Sequence, residues 1–317
     1  MLEGEILALP TETVYGLAAL ALNERAVEKI FSAKRRPAND PLIVHVSDAA
    51  SARAVCRPCE RAFALAEAFW PGPLTLVLPK EPCVPDSVTS GLDTVAVRSP
   101  SHPVFREILH RVNAPLAAPS ANPFGKVSPT TARHVVESFG ENHPPVLDGG
   151  KTEHGVESTI LDLSGRVPRV LRPGPIPPSE VERVLGERPS LSGRREVSAG
   201  EPAASPGLLS SHYRTEAPLL LFPSLSELLE QARRNPPPPG SHLLPGEPPD
   251  ASERLPPELV VLPLSSTGST REIAKNLFAV LRQADAASPP LILSHLVAET
   301  GLGRAVNDRL RRAARTS

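Results

Sequence analysis

E-I-L-A-L-P at Glu5–Pro10, N-E-R-A-V-E-K-I-F-S-A-K-R-R-P at Asn23–Pro37 and P-L-I-V-H-V at Pro41–Val46 read in turn as strand, capped helix and strand. Pro10 ends the first run. Asn23 is placed to cap a helix whose apolar residues Ala26, Val27, Ile30 and Phe31 recur at helical spacing. Three cations complement the far end of its dipole, and Pro37 stops it. The alternation continues. Strands are expected near 74–78, 95–98, 116–118, 146–147, 159–163 and 167–171, with helices near 103–112, 129–139 and 178–185. That is an α/β domain with irregular connections.

A second stretch bears on function. A-P-S-A-N-P-F-G-K-V-S-P-T-T-A (Ala118–Ala132) runs a small-residue loop into an expected helix, with Ser128 as cap and Pro129 in its first position. Free N–H groups and the positive dipole end at such a start favour a phosphate or carboxylate. Ser-Pro helix starts are common, so the stretch gains meaning from its company. Arg98 and Arg172 each close a short β-type run before a proline turn, a rigid place from which to face a ligand. His45 interrupts an apolar run and by itself reads as a satisfied core residue.

The 317 residues suffice for two domains. A net charge of -1 and 3% aromatic residues argue against a global field for nucleic acid and against base-stacking platforms. No apolar run reaches the ~20 residues of a membrane span, and no signal-type run precedes the first strand. Cys56 and Cys59 form C-x-x-C without a second pair, which is too few ligands for a structural zinc site. Sparse cysteine fits the cytoplasm. The 39 prolines, about one residue in eight against a typical ~5%, indicate stiff loops.

Seven segments together resemble the YrdC-like family of L-threonylcarbamoyladenylate synthases: P-T-E-T-V-Y-G-L, K-R-R-P-x-x-D-P-L-I-V-H, W-P-G-P-L-T-L-V, V-A-V-R-x-P, A-P-S-A-N-x-x-G-x-x-S-P-T, E-S-T-I-L-D and L-R-P-G. S-P-G-x-x-x-x-H-Y (Ser205–Tyr213) is similar to the linker of the family's two-domain version, and G-L-G-R-A-V-N-D-R-L (Gly301–Leu310) to the end of its second domain. The expected architecture is a catalytic domain at 1–186 built on a twisted, mixed open sheet with a concave active-site face. A linker at 187–218 and a small Rossmann-like α/β domain at 219–317 follow. The latter reads β-α-β-α-β-α, with strands at 219–222, 259–264 and 291–293. Its helices are expected after Ser224, at 269–284 and at 304–314. The proline-rich stretch 236–249 reads as a loop.

The resemblance implies a reaction: L-threonine, bicarbonate (or CO2) and ATP, with Mg2+, give L-threonylcarbamoyl-AMP and pyrophosphate. It also implies residue roles. Arg98 pairs with the threonine carboxylate, and Thr13, His45, the Ala118 backbone and Ser158 line the threonine pocket. Lys34 and Arg36 meet the ATP phosphates; Ser120 and Ser128 donate to phosphate oxygens. Asp40, Thr94, Arg172, His212 and Tyr213 complete the nucleotide side. Catalysis rests on Lys34, Arg36 and Arg98, with no protein nucleophile and no protein-bound metal. The product is expected to pass to a downstream threonylcarbamoyl-transferase complex acting on tRNA, without direct tRNA contact or a membrane. The chain departs from the pattern at Asn39-Asp40, an inverted pair, and at Leu208, Leu209, Ser210 and Ser211, where lysines are usual. Two rival readings are a double-stranded RNA or tRNA-binding module and a carbamoyltransferase using carbamoyl phosphate. The missing cysteine set disfavours the second.

Overall fold

The structure is a computed structural model and describes residues 1–191, 205, 212–250 and 255–314. The chain divides into two compact units: Met1–Phe124, Ser128–Glu153 and Glu157–Ser210 in the first; Gly125–Val127, His154–Val156 and Ser211–Ser317 in the second.

The first unit holds strands β1 (Leu7–Pro10), β2 (Tyr15–Leu20), β3 (Ile43–His45), β4 (Leu74–Pro79), β5 (Thr94–Arg98), β6 (Leu116–Ala117), β7 (Thr159–Asp162), β8 (Arg169–Arg172) and β9 (Ser190–Leu191). Its helices are α1 (Glu24–Lys34), α2 (Glu60–Phe69), α3 (Asp86–Thr89), α4 (Pro103–Val112), α5 (Ala132–Phe139) and α6 (Pro178–Leu185). The strands form one mixed sheet in the order β1-β2-β6-β3-β5-β4-β7-β8-β9. Asn23 caps α1 through its side chain, as its position suggested.

Successive strand residues point to opposite faces. Ala8, Leu17, Val44, Leu76, Val97 and Leu161 face one side and pack with Ala26, Val27 and Ile30 of α1, Leu65 of α2 and Val181 of α6. Their neighbours face the other side. There Leu9, Ala18 and Leu116 lie under Phe105 and Leu109 of α4, while Ile43, Val77, Ala96 and Ile160 form a smaller apolar patch. Polar residues share this second face, and His45, Thr75 and Arg98 among them are buried.

Several expectations change. Tyr15–Leu20, to which the sequence assigns no element, is a strand, antiparallel to β1 with Leu9 opposite Gly16. Val146–Leu147 forms no strand, only an isolated bridge from Val146 to Ala8. Ser190–Leu191, inside the expected linker, pairs with β8. Leu208, Leu209, Ser210 and Ser211 lie outside the described residues.

Helix α5 starts three residues later than expected, with Thr131 rather than Ser128 as its cap; the Thr131 hydroxyl accepts the His134 amide. The groups that would begin a helix at Ser128 are engaged elsewhere. The Ser128 hydroxyl donates to Glu157 at 2.6 Å. The Pro129 carbonyl accepts the Tyr15 amide, and the Thr130 carbonyl accepts the Thr152 amide. Ser128 is therefore not a donor at a helix start.

The second unit is built from β10 (Leu219–Phe222), α7 (Leu225–Arg234), β11 (His242–Leu244), β12 (Val260–Val261), α8 (Thr270–Ala286), β13 (Ile292–His295) and α9 (Gly303–Ala313). Its four strands are parallel, in the order β10-β13-β11-β12. Ser224 caps α7 by accepting the Glu227 amide. The proline-rich stretch is not all loop, because β11 lies within it. His242–Leu244 is free of proline, so it can donate to a ladder, with the His242 amide bonded to the Leu291 carbonyl at 2.9 Å. The flanking prolines confine the strand without interrupting it.

Gly174 follows β8 so closely that a Cβ there would lie 2.3 Å from the Thr159 amide nitrogen and 2.6 Å from the Ser158 carbonyl carbon. Backbone cannot yield as a side chain can. Gly174→Ala should lower the unfolding free energy by about 1–3 kcal/mol in urea titration. Gly165→Ala, facing open space, should change it by less than about 0.5 kcal/mol. Equal midpoints for the two variants would contradict the close approach.

Candidate active site

The loop between β1 and β2 is set by one hydroxyl. Thr11 Oγ1 accepts the amides of Thr13 and Val14 and donates to the Val14 carbonyl at 2.6 Å. Thr11, Glu12 and Thr13 are all buried. This rigid turn aims two side chains at Arg98, the last residue of β5. Arg98 Nη1 donates to Thr13 Oγ1 at 3.0 Å and Nε to the Gly72 carbonyl at 3.2 Å. Glu12 Oε1 lies 2.6 Å from Arg98 Nη2, with both side chains buried. Nη2 carries two N–H groups, so this pairing leaves donor capacity there. The other Glu12 oxygen accepts the Ser101 amide at 3.1 Å. Burial raises the Glu12 pKa, but the Arg98 charge and these N–H donors outweigh it and leave it below the ordinary carboxylate value.

His45 lies beside Arg98 in the β3–β5 register. Its ring is 4.9 Å from that of Phe105, and its buried Nδ1 has no hydrogen-bond partner. Burial, reinforced by the Arg98 charge, pushes its pKa down to about 3. The imidazole is thus neutral. On the neighbouring strands a second polar chain forms: Thr75 Oγ1 meets Ser158 Oγ at 2.8 Å, and Arg172 donates to the Ser158 hydroxyl and carbonyl at 3.1 Å each. His45, Thr75, Thr94 and Arg98 share the second sheet face with Ile43, Val77 and Ala96 by the two-residue alternation.

The remaining expected residues sit nearer the helices. Lys34, buried at the end of α1, donates to the Ser120 carbonyl at 2.5 Å and also to the Asn122 carbonyl. Burial, then the nearby Arg36 charge, drives its pKa well down against the opposing pull of Asp40. Arg36 turns to Asp40, its Nη2 2.8 Å from the carboxylate, and donates to the carbonyls of Asp40 and Pro41. The inverted Asn39-Asp40 pair thus supplies a buried partner for a buried cation. Thr94 lines a small cavity with Pro41, Leu42, Ala96 and Ser205. The Ala118 amide donates to the Ile43 carbonyl at 3.0 Å.

His212 and Tyr213 belong to the second unit. There Tyr213 is buried, stacks on Phe278 at 5.2 Å and lies under the Arg309 guanidinium.

Two residues escaped the sequence reading. Glu12 and Thr75 lie inside quoted motifs, and the signal that could have marked them is burial. A carboxylate in T-E-T beside an apolar strand needs a cation, and Thr75 is the polar residue alternating within L-T-L-V-L.

Cys56 is buried, its thiol pushed up to about 12 by burial, while Cys59 and Cys83 are exposed. Among the described residues no three His, Cys, Asp or Glu side chains form a group able to hold a metal ion. Nor is any described helix long and apolar enough to cross a membrane.

A buried arginine and hydroxyl-bearing strand ends thus gather on the second face of the mixed sheet. Two family models match the chain: "Telomere recombination" over residues 1–174 and "Threonylcarbamoyl-AMP synthase, C-terminal domain" over 176–315. The threonylcarbamoyl-AMP synthase of Pyrococcus abyssi is 42% identical, the match covering 98% of this chain and 91% of that protein. The Bacillus subtilis enzyme of the same name is 37% identical, with 98% and 90% covered. A crystal structure of P. abyssi Sua5 complexed with L-threonine matches with a TM-score of 0.88 and 40% identity, covering 99% of this chain and 91% of that one. The chain belongs to the two-domain threonylcarbamoyl-AMP synthase family.

The buried His45 gives a pH test. Its folded pKa is about 3, against ~6.5 when unfolded. Between those values the unfolded chain holds the extra proton, so stability falls as pH drops through the window. Glu12, with its lowered pKa, adds a further loss at the acid end as it protonates. Urea midpoints measured from pH 7 to 4 should decline, and His45→Asn should flatten the upper part of that decline. An identical slope in the variant would show that His45 is not buried neutral.

Proposed function

We propose that this chain is an L-threonylcarbamoyladenylate synthase, joining L-threonine, bicarbonate and ATP into L-threonylcarbamoyl-AMP, pyrophosphate and water. The observation that carries the reading is the buried Arg98 guanidinium, held on three sides yet retaining N–H capacity at Nη2. A guanidinium fork suits an amino-acid carboxylate. Thr13, His45, the Ala118 backbone and Ser158 are assigned to the side chain and amine of threonine. A neutral imidazole with an open ring nitrogen can bond the substrate without repelling its ammonium group.

The amine takes up bicarbonate-derived carbon to become a carbamate. One carbamate oxygen then attacks the α-phosphorus of ATP as the bond to the pyrophosphate oxygen breaks. The nucleophile is the substrate itself, so catalysis is positioning and charge stabilisation. Lys34 carries three N–H donors; its two carbonyl bonds leave one for a phosphate oxygen. Arg36, Asp40, Thr94, Ser120, Ser128, Arg172, His212 and Tyr213 are assigned to the nucleotide. For Ser128 the assignment requires its hydroxyl to exchange Glu157 for phosphate. Magnesium is assigned to the phosphates, where the ion shares the pyrophosphate charge, as suits a cation that keeps most of its water. The adenylate then supplies a transferase complex that forms N6-threonylcarbamoyladenosine in tRNA, in the cytoplasm.

Pyrophosphate release from ATP, with threonine and bicarbonate omitted in turn and the adenylate detected by mass, tests the reaction. Turnover should require both co-substrates. Arg98→Ala should lower kcat/KM for threonine by roughly ten- to a hundredfold or more, since a charge-assisted pair is worth about 1.5–3 kcal/mol. Undiminished turnover in that variant would remove Arg98 from the site. Salt-sensitive RNA binding without threonine-dependent turnover would favour the rival RNA-binding reading.

A further inference from the structure

Arg98 is the residue on which threonine recognition turns, and the group that faces it most closely is Glu12, which carries no assigned role. Glu12 Oε1 stands 2.6 Å from Nη2, and Glu12 Oε2 accepts the Ser101 amide at 3.1 Å. The carboxylate thereby joins the β1–β2 turn to the segment just beyond β5. Thr13 and the Gly72 carbonyl take Nη1 and Nε. The β1–β2 turn thus meets two of the guanidinium nitrogens and the Gly72 carbonyl the third.

We infer that Glu12 is a positioning residue for the threonine site, fixing the plane and the charge of the Arg98 guanidinium so that its remaining N–H groups meet the substrate carboxylate. The inference rests on the proposed synthase activity.

A buried arginine without a counter-charge is strongly destabilising, so a pocket holding Arg98 alone would distort or admit water. Glu12 neutralises it in place, where Thr13 and Gly72 alone supply only dipoles. Nη1 and Nη2 carry two N–H groups each, so Thr13 and Glu12 leave donors on both for a second carboxylate. A guanidinium accepts two carboxylates when the second belongs to a zwitterion whose ammonium group offsets the added negative charge.

Glu12→Gln keeps the side chain's size and removes its charge. Its amide must also place either an NH2 group against the Ser101 amide or one against the guanidinium, so the plane of Arg98 is no longer fixed. The experiment compares pyrophosphate release by wild type and Glu12→Gln with L-threonine and with L-threoninamide, which lacks the carboxylate charge. With threonine, kcat/KM should fall by roughly tenfold or more, while KM for ATP shifts by less than about twofold. The preference for threonine over threoninamide should shrink by a similar factor, because the lost contact is one that only the carboxylate makes. Equal losses with both substrates would mean that Glu12 merely supports the fold, and unchanged kinetics would mean that it does nothing for Arg98; either result overturns the inference. Should Glu12→Gln not fold, Glu12→Asp, which keeps the charge but withdraws it by one methylene, carries the same comparison with the same expected narrowing. Wild-type protein without threonine-dependent turnover would defeat the synthase reading first, and so is separable from a failure of Glu12 alone.

Discussion

Successive side chains of a strand point to opposite faces, and the functional assignments on the first unit's sheet depend on that two-residue period. On one face Val44, Leu76 and Val97 meet α1, α2 and α6 and exclude water. The residues between them therefore point away from that core. His45, Thr75 and Arg98 can be polar only because they are those in-between residues. Moving any of these strands by one position would put an arginine or imidazole among leucines and expose its apolar set. The apolar face fixes the register, and the register delivers the polar groups.

Burying charge creates a matching problem that neighbouring turns and loops solve. Arg98 is met by Glu12, Arg36 by Asp40, and Lys34 by two loop carbonyls. In each case the partner comes from a turn or a loop. The end of β5 and the end of α1 thus supply the cations, while turns and loops supply what holds them. Both parts are needed because neither a bare buried cation nor a bare buried carboxylate is stable.

Much of this was legible in the sequence. Asn23 before a 3.6-residue apolar pattern gave α1, the proline at position 103 opened α4, and Ser224 capped α7, since each signal acts over a few residues. Arg98 and Arg172 stood out as cations ending β-type runs. What stayed hidden depends on distant partners. Tyr15–Leu20 has weak strand character in its Gly-Leu-Ala-Ala run, and its pairing with β1 on one side and β6 on the other decides it. Strand β11 was masked by surrounding prolines. The Glu12–Arg98 pair joins positions far apart in the chain, and spacing along the sequence cannot show it.

The displaced start of α5 has a consequence for how the chain assembles. Ser128, Pro129 and Thr130 are bonded to Glu157, Tyr15 and Thr152 in turn, so their backbone is shaped by three distant segments and not by their own helical tendency. Contacts of such long sequence separation close slowly, because chain entropy must be lost before they reward it. A nascent polypeptide emerging from synthesis can complete α1 and its adjacent strands early, yet this turn has no template until Glu157 has arrived. The turn should mature with the last strands of the sheet, late in the acquisition of structure.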